Sequence, residues 1–119
     1  MKFIIEHLEE KLWPWCIIEY RHICKIAGRK NLFFTNLHFK KDCDRLAPFG
    51  KACKESFREL GFQRICILDP AAEKTLSPKD SEQFDHLAFG GILGNYPMQL
   101  RTKKLISSNG RWKVGYCLR

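Results

Sequence analysis

Two short, unbroken apolar runs limit what this chain can fold into: Phe3-Ile4-Ile5 near the start and Ile65-Cys66-Ile67-Leu68 past the middle. Neither alternates with polar residues, so each reads as a strand covered on both faces, as in a parallel sheet packed between layers. The intervening sequence supplies the crossovers. After a first strand over 2–7, apolar residues fall at Trp13, Cys16, Ile17, Tyr20, Ile23, Cys24 and Ala27, the spacing of one buried helix face. Pro14 suits the first turn of that helix and Gly28 its C-terminal cap. A second strand is predicted over 31–37, a helical turn over 41–46 and a helix over 52–60, with Cys53, Phe57 and Leu60 inward. A third strand covers 64–68. Ser77-Pro78-Lys79-Asp80 opens a short helix, with Ser77 as its cap. A fourth strand, 85–89, runs into Gly90-Gly91. Strand and helix alternate throughout, which predicts an α/β fold: a mostly parallel sheet with helices on both faces.

The chain of 119 residues makes one domain large enough for its own core. No apolar run approaches the roughly 20 residues of a membrane span, and the N-terminus lacks the form of a signal peptide. A cytoplasmic protein is expected, with no membrane partner. Its six cysteines then stay reduced, and Cys16, Cys24 and Cys66 read as small core residues. A zinc site from His38, Cys43 and Cys53 is conceivable, but no metal is expected because metal-ligand spacings such as Cys-x-x-Cys are absent. The net charge of +8 is concentrated late: the last twenty residues hold Arg101, Lys103, Lys104, Arg111, Lys113 and Arg119 and no acid. Such a tail can bind phosphates, or simply be solvated.

Ligands of open parallel sheets bind beyond the carboxyl ends of the strands. Leu68-Asp69-Pro70 and Phe89-Gly90-Gly91-Ile92-Leu93-Gly94 lie at such ends. Glycines there let a backbone approach a ligand closely. The second segment is neither Gly-x-Gly-x-x-Gly nor a P-loop, and a plain turn is the commoner reading of a glycine pair. Of the acids Glu6, Glu9, Glu10, Glu19 and Asp69, most read as solvated or as turn residues. Glu19 flanks the buried stripe of its helix. His86 reads as a satisfied core or edge residue. No nucleophile elbow marks a hydrolase.

Longer blocks carry more. Met1 to Glu10, Trp15, Ile17-Ile18-Glu19-Tyr20, Leu68-Asp69-Pro70, Ala72 to Asp80, Phe84-Asp85, Phe89 to Gly94 and Arg101-Thr102-Lys103 resemble the SPOUT-class (α/β-knot) methyltransferases of the group that includes a yeast ribosomal-protein arginine methyltransferase. The resemblance implies S-adenosylmethionine as cofactor. Leu68, Asp69, Phe89, Gly90, Gly91, Ile92 and Gly94 would line it. Glu6 and Glu19 would be the acids of catalysis, and Asn95 and Arg101 would lie toward the substrate. It implies a protein-arginine N-methyltransferase acting on a small-subunit ribosomal protein. The alternatives are a SPOUT-class RNA methyltransferase and a non-catalytic remnant serving as an interaction domain.

Two departures stand out. The family follows its glycine loop with an acid and prolines, whereas this chain reads Asn95-Tyr96-Pro97-Met98. Family proteins also form a trefoil knot, a rare exception to unknotted chains, from a later segment. Here the sequence after Leu105 matches no such segment. The expectation is therefore a C-terminally truncated methyltransferase domain over 1–105, a divergent basic tail over 106–119 and no assignable oligomeric state.

Overall fold

The computed structural model describes residues 1–68, 74–75, 78–91 and 113–117. Its centre is a parallel sheet of seven strands: β1 (Lys2–His7), β2 (Leu32–Thr35), β3 (Lys51–Ala52), β4 (Ile65–Leu68), β5 (Lys74–Thr75), β6 (His86–Gly91) and β7 (Lys113–Cys117), in the order β3-β2-β1-β6-β4-β7-β5. The apolar runs occupy its middle, where Ile4, Ile5, Ile65, Cys66, Ile67 and Leu68 are all buried.

Alternation along the strands sorts the core into two faces. Ile5, Leu32 and Phe34 point to one side, against Cys16 and Tyr20 of helix α1 (Pro14–Ala27) and Leu46 of helix α2 (Lys40–Leu46). Cys66, Leu68 and Phe89 extend that side. Ile4, Ile65, Ile67 and Ala88 point to the other, where Phe57 of a 3-10 helix (Phe57–Glu59) covers them. Both α-helices of the described residues thus share one face, and the 3-10 turn serves the second. α1 starts at Pro14 and ends at Gly28, whose φ of 88° suits glycine and whose N–H bonds Cys24 O. Trp13, expected in the buried stripe, is instead exposed as the residue before the helix.

The helix expected over 52–60 does not form. Its backbone is drawn into tertiary bonds: Cys53 N–H donates to Phe34 O, Asn36 N–H to Glu55 O and Leu37 N–H to Cys53 O. Lys51–Ala52 becomes the edge strand β3, and only Phe57–Glu59 winds, capped by the Ser56 hydroxyl. Leu60 is left on the surface rather than inward. The second strand stops at Thr35, two residues early, because Asn36 turns to a φ of 63° and donates through its side chain to His7 O. Three strands were not anticipated, β3, β5 and β7; the last places part of the basic tail between β4 and β5.

Chain direction now locates a crevice. From β1 the chain crosses through α1 to β2 on one side. Among the described residues the next strand after β6 is β7, beyond β4 on the other side. Adjacent strands whose connections leave in opposite directions open a cleft at their carboxyl ends, the usual ligand position in such sheets. That point is the end of β1 beside the end of β6.

Candidate functional site

The register β1–β6 sets Glu6 beside Gly90 and His7 beside Gly91, so the glycine pair is the last stretch of the strand and not the turn that follows it. The described pairing of β6 with β4 ends at Leu68–Phe89, two residues earlier along β6. Gly90 is extended strand, which any residue can adopt; glycine at a strand end often marks the close approach of a ligand. Leu68, Phe89, Gly90 and Gly91 therefore converge on the crevice. Asp69, Ile92, Gly94, Asn95 and Arg101 lie outside the described residues.

The two acids singled out by resemblance occupy different places. Glu6 is buried on the side of the sheet away from α1. Its Oε1 accepts from Thr35 Oγ1 at 2.5 Å and from Phe57 N–H at 3.1 Å, and its Oε2 accepts from Ser56 Oγ at 2.5 Å. Both oxygens are thereby engaged, clamping β1, β2 and the 3-10 turn together. Glu19 stands exposed on α1, which packs on the opposite face. The structure does not bring this pair together.

Beside Gly91 stands His7, which the sequence did not single out, and beyond it Glu9, which reads there as a solvated acid. His7 is buried; its Nε2 lies 3.0 Å from Lys11 O and its Nδ1 2.8 Å from the Tyr20 hydroxyl. A carbonyl only accepts, so Nε2 carries the hydrogen and Nδ1 accepts from Tyr20. Burial lowers the His7 pKa, against smaller opposing effects of the Lys11 carbonyl, Glu9 and Asp42, with His38 adding slightly to the lowering. Burial also raises that of Tyr20, so both stay neutral at neutral pH. In the loop between β1 and α1, Glu9 Oε1 is buried and has no hydrogen-bond partner among the described residues. The signal for His7 was its place as the last residue of an apolar strand; nothing local marked Glu9.

A stability test follows from His7. The group is protonated more readily unfolded than folded, so its contribution is full above the unfolded value near pH 6.5 and is lost as pH falls below it. Urea midpoints measured from pH 7.5 down to 5 should fall with acidity in the unmodified chain and fall less in His7→Gln. Equal slopes in both would reject a neutral buried His7.

Other concavities lie elsewhere. A groove of about 510 Å³ lined by Arg29, Lys30, Phe33 and Lys51 sits at the amino ends of β2 and β3, the end opposite the crevice. Cys43 and Cys53 are partly buried with raised pKa values, chiefly from desolvation. Among the described residues no group of three or more His, Cys, Asp or Glu side chains could hold a metal, so His38, Cys43 and Cys53 make no such cluster. No described helix is long and apolar enough to cross a membrane.

Strand order, direction and the glycine-edged crevice define an α/β protein of the SPOUT methyltransferase fold. The fold is shared with the dual specific Trm10 of Thermococcus kodakaraensis at a TM-score of 0.69 and 16% identity, over 98% of this chain and 77% of that one. Residues 2–114 match the family described as Protein arginine N-methyltransferase SFM1-like, and the chain belongs to that family. The Protein arginine N-methyltransferase SFM1 of Saccharomyces cerevisiae is 40% identical over 88% of this chain and 56% of its own length. The crystal structure of yeast SFM1 complexed with SAH superposes at a TM-score of 0.86 with 32% identity, covering 99% of this chain and 63% of that chain. This chain thus spans a little over half the length of the curated yeast relative.

Proposed function

We propose that this chain is an S-adenosylmethionine-dependent protein-arginine N-methyltransferase, with the cofactor held at the carboxyl ends of β4 and β6. The observation that carries the reading is the glycine pair at the β1–β6 switch point, the position where a family member named an arginine methyltransferase would need open backbone. The residues present fit the cofactor: Gly90 and Gly91 offer backbone without side chains, while Leu68 and Phe89 offer apolar surface for an adenine ring. Asp69, Ile92 and Gly94 are proposed to complete the lining by sequence. When bound, the cofactor supplies an electrophilic methyl group on a sulfonium.

The chain's own residues then have three tasks. A guanidinium stays protonated at neutral pH, so carboxylates must hold it and orient one nitrogen. Glu19, exposed on α1, is proposed to meet the substrate. Glu6 is proposed to position the end of β1 through its three bonds. Asn95 and Arg101 are proposed on the substrate side. Overall the nitrogen–methyl bond forms as the sulfur–methyl bond breaks, and the arginine releases one proton to a carboxylate or water.

The substrate we propose is a small-subunit ribosomal protein in the cytoplasm. RNA is the second reading, favoured by a relative from Thermococcus kodakarensis named tRNA (guanine(9)-/adenine(9)-N1)-methyltransferase, which is 32% identical over 74% of this chain. Incubating the chain with ribosomal subunits and methyl-labelled cofactor separates the two, with label expected in protein as methylarginine. Label in RNA alone would overturn the first reading. No label, with no saturable cofactor binding by calorimetry, would leave an interaction domain.

A further inference from the structure

We propose that Glu9 is the acid that receives the guanidinium of the substrate arginine; this rests on the methyltransferase reading above and adds a residue to it. The Glu9 Oε1 is buried and has no hydrogen-bond partner among the described residues. A buried oxygen without a donor is costly, and native proteins leave few of them unless a ligand supplies the bond. Two protein donors near it, His7 and Tyr20, are already committed. The His7 Nε2 hydrogen goes to Lys11 O, and the Tyr20 hydroxyl hydrogen goes to His7 Nδ1. Both groups lie within electrostatic range of Glu9, yet neither has a hydrogen left for it. The nearest base in sequence, Lys11, sets its ammonium over the Trp13 ring instead.

Position supports the same conclusion. Glu9 follows two residues after His7, which pairs with Gly91, so it stands just beyond the switch point. The loop that carries it is pinned: His7 holds Lys11 O, Arg45 holds Leu12 O at 3.4 Å, and the Leu12 side chain is buried. A fixed loop keeps the carboxylate turned inward before any ligand arrives, which lowers the entropy lost on binding. The missing partner must bring N–H donors and positive charge. A guanidinium brings five such donors in a planar fork that matches a carboxylate.

The test uses the whole chain and two small probes of the same shape: N-acetylarginine amide, which is charged, and N-acetylcitrulline amide, which is not. Binding is followed by backbone amide shifts. The arginine probe should bind about tenfold more tightly than the citrulline probe and shift the amides of Glu9 and Gly91. Glu9→Gln should bring the arginine probe down to the citrulline level while leaving the affinity for S-adenosylhomocysteine within about twofold. Its melting temperature should stay level or rise, since an unpaired buried oxygen has been relieved of charge; a fold-serving glutamate would give the reverse. Equal binding of the two probes to the unmodified chain overturns the proposal, whatever the variant does. So does unchanged arginine binding in Glu9→Gln, or a lowered melting temperature. Absent S-adenosylhomocysteine binding in the unmodified chain counts against the methyltransferase reading alone, because the probe contrast still decides Glu9.

Discussion

Glu6→Ala is expected to lose roughly 3–5 kcal/mol of folding stability, from about 1–3 kcal/mol for each buried donor left without an acceptor. Three donors converge on this carboxylate: the hydroxyls of Thr35 and Ser56 and the N–H of Phe57. They do not suffer equally. Thr35 already lies 3.4 Å from Ile5 O and can turn to it. Ser56 also accepts from Arg58, so its oxygen keeps a partner while its hydrogen loses one. The Phe57 N–H is fixed by the backbone and has no such freedom. The loss therefore falls on the 3-10 turn that covers Ile4, Ile65, Ile67 and Ala88, and it should loosen that whole face. Domains of this size are stable by about 5–15 kcal/mol, so the change is a large share of the total. With a urea slope near 2 kcal/mol/M, the midpoint should drop by about 2 M. Glu6→Gln keeps one acceptor oxygen and should lose about 1–2 kcal/mol. An alanine variant with a midpoint within about 0.5 M of the unmodified chain would show that the clamp is not needed.

Glu6 also marks where sequence stops being informative. The strands of the centre and helix α1 were readable, because each is written in a local period: a solid apolar run or a three-to-four spacing. The region 52–60 was misread for a physical reason. Its composition suits a helix, but Glu6, some fifty residues earlier, takes the Ser56 hydroxyl and the Phe57 N–H, and β2 with the residues just after it takes the backbone of 53–55. Those bonds exist only once β1 and β2 are paired, so no local pattern announces them. The same holds for the site. Gly90 and Gly91 were visible as residues, yet their role as the last pairs of β6 depends on register with β1. Glu9 looked like an ordinary surface acid beside Glu10. What distinguishes it is a negative fact, that His7 and Tyr20 have given their hydrogens to other partners.

Gly90→Val is expected to weaken cofactor binding by about tenfold to a hundredfold while the fold survives. Gly90 is extended and paired with Glu6, a state in which valine is at home, so the strand itself gains from the change. Its side chain would emerge on the face shared by Ala88 and Glu6, at the end of β6 past the described pairing with β4. If the cofactor lies against that bare backbone, two added methyl groups and a Cβ stand in its path. Forcing atoms into a fitted site costs about 1–3 kcal/mol, which sets the range of affinity loss. Gly90→Ala should fall between the two. Calorimetry with S-adenosylhomocysteine measures the loss, and thermal melting checks that the larger side chain is accommodated. A valine variant that melts normally and binds the ligand as the unmodified chain does would move the cofactor away from β6. A variant that melts early would implicate the neighbouring Glu6 clamp instead, since both side chains share one face. The alanine variant then decides, because one methyl group is enough to crowd a ligand at a strand end but too little to unseat a carboxylate held by three donors.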